Sequence, residues 1–141
     1  MLGRLYETQD CSASRALEVI GERWSLLILR DAMFKGCSRF LQFQKSLGIA
    51  TNILAKRLED FVAAGLMEHK MDGDQAEYVL TRRGLELMPV IIALTDWGDK
   101  WVRPGPIAYR DRSDLAPIQL QLRRLTDDKP IDVADVVVVP R

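Results

Sequence analysis

Five basic residues, Lys35, Arg39, Lys45, Lys56 and Arg57, fall within residues 32–58, a stretch that holds no acidic residue. The whole chain balances 20 Lys and Arg against 20 Asp and Glu, so its net charge draws in no polyanion. Any attraction for phosphate has to come from a local stretch of this kind. From residue 52, near the end of that stretch, to residue 63, a helical step of about 100° per residue turns Asn52, Lys56, Glu59 and Ala63 away from the apolar set Leu54, Leu58, Phe61 and Val62. Asn can pair with an adenine edge, and Lys with guanine or a phosphate. Thr51, Asn52, Ala55 and Lys56 at the start of such a helix are therefore candidates for reading a DNA groove. Periodicity alone favours a solvated surface helix; the absence of acids and the hairpin that follows reverse that preference towards DNA. Ser38, Arg39 and Lys45 lie at the ends of the preceding helical segment, where side chains and a helix N-terminus can hold phosphate. Ser38 also suits a plain cap, and Arg57, nearer the apolar flank, suits either a phosphate or an internal ion pair.

Other chemistry is sparse. One His and two Cys, Cys11 and Cys37, supply neither a structural zinc set nor a secreted disulfide framework, and no cofactor motif is present. A Gly-rich phosphate loop and a nucleophile elbow are also missing, so the chain reads as no enzyme. His69, in a strand-like segment without a partner pattern, reads as surface decoration. Cys11 precedes the first helix, where exposed N–H groups favour a thiolate. The residues alone favour reading it as a small apolar residue packed under that helix. Trp97 and Trp101, spaced i and i+4, suit a core or a subunit interface.

Short elements must position these residues. Ala13, Ala16, Leu17 and Ile20 mark a first helix closed by Gly21, and residues 24–34, with Leu26, Leu27, Ile28 and Leu29 consecutive, mark a buried second helix. Ser38 can cap a third helix ending at Gly48, and Thr51 a fourth ending at Gly65; the short Gly-containing turn between them makes a helix-turn-helix. Residues 66–71 and 76–81 read as strands of a hairpin around Asp72-Gly73-Asp74-Gln75. Thr81 then caps a long helix, kinked at Pro89 and ending near Arg103. Pro104-Gly105-Pro106 bounds a tail in which Ile118, Leu120 and Leu122 alternate with polar residues and residues 136–139 are all Val, the pattern of a few strands. No internal repeat is visible. No apolar stretch is long enough to span a membrane, and no leader precedes Cys11, which points to the cytoplasm.

This order of elements resembles the HxlR-type family of bacterial winged-helix transcriptional regulators. The resemblance is carried by CSASRAL (11–17), IGERWSLLILRD (20–31), SRF (38–40), LAKRLEDFVAAG (54–65), EYVLTRRG (77–84) and residues 89–101. It implies a homodimer, joined through N- and C-terminal helices and involving Trp97 and Trp101, on a roughly palindromic double-stranded DNA operator. The helix from Thr51 would be the recognition helix and the 66–81 hairpin the wing, here with a short acidic tip. Cys11 matches the position at which some members sense oxidants or aldehydes, and a small-molecule effector of unstated identity is compatible with the family. The expected fold is mainly α with a small β component, a winged helix-turn-helix with a short β-rich C-terminal extension. Its parts are an arm over 1–10, the DNA-binding and dimerisation domain over 11–103, and the extension over 104–141. A winged-helix protein-interaction module without specific DNA binding is the alternative.

Overall fold

The computed structural model describes residues 6–141. They form α1 (Ser12–Ile20), α2 (Ser25–Phe34), α3 (Phe40–Leu47), α4 (Thr51–Ala63), β1 (Met67–Asp72), β2 (Gln75–Leu80), a single turn α5 (Arg82–Leu85), α6 (Met88–Trp101) and a short 3-10 turn (Val133–Asp135). The chain divides into two compact units, Met1–Ile91 and Ile92–Arg141.

The first unit is the expected winged helix-turn-helix. Its core is built from Ile28 and Leu29 of α2, Phe43 of α3, Leu54, Leu58 and Phe61 of α4, and Met67 of β1, all essentially buried. The consecutive apolar residues of α2 are not all inside, since Leu27 stands more than a third exposed. Gly48 ends α3 at φ +64°, donating its N–H to the Gln44 carbonyl, a left-handed turn that glycine makes without strain. Ile49 is then drawn into the core, so the chain enters α4 at Ala50, and Thr51 is its first helical residue rather than its cap.

Ser38 does not cap α3 either. The cap position is Arg39, and Gln42 Oε1 accepts from the N–H groups of both Ser38 and Arg39, at 2.9 and 3.0 Å. The Ser38 carbonyl instead accepts from Tyr78 N at 2.7 Å, which ties the entrance of α3 to β2. The hairpin is antiparallel, with Met67 opposite Leu80 and Asp72 opposite Gln75. It closes through Gly73 and Asp74 alone, with Gly73 at φ +62°, a tighter turn than the four-residue loop expected.

Thr81 caps the next segment as expected, its Oγ1 accepting from Gly84 N at 3.1 Å. Gly84 has no room for a side chain, because an added Cβ would lie 2.2 Å from the Leu66 carbonyl oxygen. The long helix expected over 81–103 is broken rather than kinked. Pro89 would oppose the carbonyl of residue 85 in a continuous helix, so α5 stops at Leu85 and α6 restarts at Met88, with Pro89 in its first turn.

In the second unit, one face of α6 meets the extension. Thr95 Oγ1 and Tyr109 OH share a hydrogen bond of 2.8 Å, and Gly105 N donates to Asp99 Oδ1 at 2.8 Å. Beyond α6 the extension forms no strand. It is extended chain with two isolated antiparallel bridges, Arg110 to Pro117 and Arg123 to Pro130.

These bridges reveal a repeat of 13 residues that the sequence reading did not see. Asp111 N donates to the Ala116 carbonyl, and Arg124 N to that of Lys129, both at 2.9 Å. Asp114 and Asp127 each accept from the amide two residues on, and Leu115 and Asp128 both adopt positive φ, +61° and +57°. Arg, Ser/Thr, Asp, Pro and Ile recur at matching places in 110–118 and 123–131, too sparse a set to stand out without the shared backbone geometry.

Candidate nucleic-acid interface

The start of α4 presents Thr51, Asn52, Ala55 and Lys56 to solvent, and Glu59 and Ala63 continue the same exposed face. Leu54, Leu58 and Phe61 hold the opposite face in the core. The helical step read from the sequence therefore orients α4 correctly, and α3 with the Gly48 turn sets it in a helix-turn-helix.

The basic stretch is altered by the fold. Acids from outside residues 32–58 come to meet it: Arg39 Nη2 lies 2.8 Å from Asp72 Oδ2 of the wing tip, and its Nε 3.6 Å from Glu77 Oε1. Lys56 Nζ lies 3.3 Å from Asp60 Oδ1, and Lys35 Nζ 3.9 Å from Asp31 Oδ1 and 3.2 Å from Ser46 Oγ. Arg57 is 9% exposed, with Nη2 3.0 Å from Asp60 Oδ2 and Nε 3.9 Å from Glu22 Oε2. Of its two open roles it takes the internal pair. Glu22 also accepts from Trp24 N at 2.9 Å, so Arg57 joins the α4 core face to the start of α2. Of the five bases, Lys45 alone has no ion pair among the described residues; it stands exposed in the last turn of α3, where the helix dipole favours a cation. Ser38 is half-buried, its hydroxyl 3.5 Å from Glu77 Oε1.

Asp72 and Glu77 are the residues that sequence reasoning missed. The acidic wing tip carries the signal in the sequence, but only the fold brings Asp72 to 2.8 Å from Arg39. His69 lies on the exposed wing and faces Tyr78 across the strands, ring centroids 5.1 Å apart, consistent with its reading as a surface residue. Cys37 is buried, and burial pushes its thiol pKa up.

Cys11 is exposed and is the N-cap of α1. Its Sγ accepts from Ser14 N at 3.4 Å and contacts Ser14 Oγ at 3.3 Å. The hydrogen bond between the Cys11 thiol and the Ser14 hydroxyl, then the one from the Ser14 N–H, holds the thiol below its ordinary range, and the N–H aimed at sulfur favours the thiolate. Trp97 and Trp101 are 62% and 66% exposed, so within one chain they are not core. Among the described residues no helix is long and apolar enough to cross a membrane, and no group of His, Cys, Asp and Glu is arranged to hold a metal ion.

Comparison with known proteins agrees with this geometry. An uncharacterised HTH-type transcriptional regulator of Mycobacterium tuberculosis is 45% identical over 100 residues, 67% of this chain; the match spans 63% of that relative's length. The crystal structure of PA1607, a candidate transcription factor, superposes with a TM-score of 0.83 at 38% identity, covering 94% of this chain and 96% of that one. The reduced form of the redox regulator HypR superposes with a TM-score of 0.59 at 26% identity, over 64% of this chain and 92% of that one. The model of the HxlR-like helix-turn-helix family matches residues 19–106, from the end of α1 through the wing and α6, and the chain belongs to that family.

Proposed function

We propose that the chain is a sequence-specific transcriptional regulator that binds double-stranded DNA as a cytoplasmic homodimer on a roughly palindromic operator. The observation that carries this reading is the solvent-facing start of α4, with Thr51, Asn52, Ala55 and Lys56 free of the core and set in a helix-turn-helix. In such a motif the N-terminal residues of the second helix meet base edges, and two subunits address half-sites about 34–36 Å apart. Lys45 is the strongest phosphate contact, since no carboxylate among the described residues pairs with it. Arg39 and Lys56 exchange Asp72 and Asp60 for phosphate. Arg57 acts through the position of α4 rather than on DNA. The dimer uses α6 around Trp97 and Trp101 together with the residues before Ala13.

Cys11 is the responsive thiol. An oxidant or electrophile that modifies it at the α1 N-cap disturbs helix packing beside the dimer contact and so the spacing of the two recognition helices. The likeness to a redox regulator supports this assignment, as does the favoured thiolate.

The test is a gel shift on the DNA upstream of the protein's own gene, against a scrambled duplex, across a salt series. The expected result is preference for the upstream duplex and an affinity that falls by about 0.9 in log K per log salt for each phosphate neutralised. Affinity that is equal on both duplexes and insensitive to salt refutes the reading and favours a protein-interaction module. Diamide treatment of the wild type and of Cys11→Ser tests the thiol; equal responses make Cys11 structural.

A further inference from the structure

Residues 104–141 contain no buried residue; only Tyr109, Ala116 and Ile131 are even half-covered. Eleven large apolar side chains of this extension are each at least two-fifths exposed, among them Leu120, Leu122 and the valines of 136–139, with Val138 at 97%. The four valines stand outside every strand and bridge among the described residues. A β-branched run with unpaired backbone groups is a ready partner for another chain. On α6, the face turned to the extension carries Thr95 and Asp99, while Leu94, Trp97 and Trp101, at i, i+3 and i+7, lie bare on another. An open, mainly apolar groove of about 550 Å³ is lined by Ala93 of α6 and, from the extension, Leu120, Gln121, Leu122, Ile131, Asp132 and Val133.

We propose that the extension is an exchanged arm, whose valine run in one copy seats on the α6 stripe and apolar groove of a second copy of the same chain. This rests on the homodimer reading and adds to it the element that closes the dimer.

Area supports a second copy as the occupant. A fully bare aliphatic side chain presents on the order of 60–120 Å². The eleven, about two-thirds exposed on average, therefore leave roughly 450–900 Å². Trp97 and Trp101 add roughly 200–300 Å². Together that is roughly 650–1,200 Å² of apolar surface on one chain, of the order of the roughly 800 Å² each partner contributes to a standard interface. Arm and acceptor lie on the same chain, so a two-fold axis satisfies both at once, each arm covering the other copy's stripe. Charge does not favour nucleic acid as the occupant: the extension carries six basic residues against six aspartates.

The test uses the full-length chain. In analytical ultracentrifugation the double variant Val136→Asp, Val138→Asp should raise the dimer dissociation constant at least tenfold with helix content unchanged. In a Cys11→Ser background, a chain with Val138→Cys is mixed with a chain carrying Leu94→Cys and treated with a short bismaleimide. A covalent dimer should form across the two chains. If both substitutions placed in one chain give only an internal link, or if the Asp variant dimerises as tightly as the wild type, the exchanged arm is overturned while the homodimer stands. A wild-type chain that sediments as a monomer at micromolar concentration overturns the dimer and the arm together.

Discussion

The ion pair between Arg39 and Asp72 sets the free protein against its proposed DNA complex, because a phosphate and the wing-tip carboxylate compete for one guanidinium. Replacing Asp72 with Asn keeps the hairpin turn and removes the competitor. The pair is short, 2.8 Å, but Arg39 is 35% and Asp72 65% exposed, so solvent screens it and it contributes about 0.2–1 kcal/mol. Releasing Arg39 then strengthens binding by roughly 1.4- to 5-fold. Glu77, 3.6 Å from Arg39 Nε, still holds the side chain in place, which keeps the gain within that range. Fluorescence anisotropy on a labelled duplex at one fixed salt concentration measures it. Because Asp72→Asn also lowers the general repulsion between wing and DNA, the variant is compared in the Arg39→Ala background. A gain present with Arg39 and absent without it identifies direct competition. A gain of the same size in both backgrounds, or none in either, refutes the reasoning.

Asn52→Ala and Lys56→Ala should weaken binding to the operator by about 1–3 kcal/mol while sparing nonspecific duplex, if each reads a base; equal losses on both duplexes would assign them to phosphates. Arg57→Ala should lower stability by about 1–3 kcal/mol, since it removes the cation nearest Glu22 and leaves Asp60 to Lys56 beside the core; an unchanged urea midpoint with lost DNA binding would return Arg57 to the interface. The Cys11 thiol pKa lies below its ordinary value and that of Cys37 above, so as pH falls Cys11 keeps its thiolate longer. Iodoacetamide should alkylate Cys11 first at neutral pH, and Ser14→Ala should move its rate profile to higher pH; a profile that does not move removes Ser14 as the cause.

Much of the first unit was legible in the chain. Helical spacing located α1 to α4, Asp72-Gly73 located the hairpin, and the outward face of α4 followed from Asn52, Lys56, Glu59 and Ala63 standing opposite Leu54, Leu58, Phe61 and Val62, because local periodicity is set by neighbours one turn away. Boundaries were less legible. Ser38 and Thr51 have the chemistry of caps, yet the chain enters α3 at Arg39 and α4 at Ala50, since Ser38 is held by β2 and Ile49 is drawn into the core. The break before α6 traced to the same Pro89 that had suggested a kink; a missing N–H and a steric clash can end a helix as well as bend it.

Charge is where sequence and structure parted. A count along residues 32–58 found five cations and no acid, but Coulomb interaction follows distance in space. Asp31, Asp60, Asp72 and Glu22 reach that stretch from a neighbouring turn, the same helix, the wing and the start of α2. The extension parted from its reading in another way: alternating Ile118, Leu120 and Leu122 suggested strands, but a strand needs a partner at about 4.8 Å, and within one chain these residues find two isolated bridges. The sequence by itself determined which elements form, which face of α4 looks outward and which family the chain resembles, because each depends on residues close along the chain. Only the tertiary structure decided which cations remain unpaired, that Arg57 lies inside, and that residues 136–139 have no cover, because each depends on groups that folding alone brings together or leaves apart.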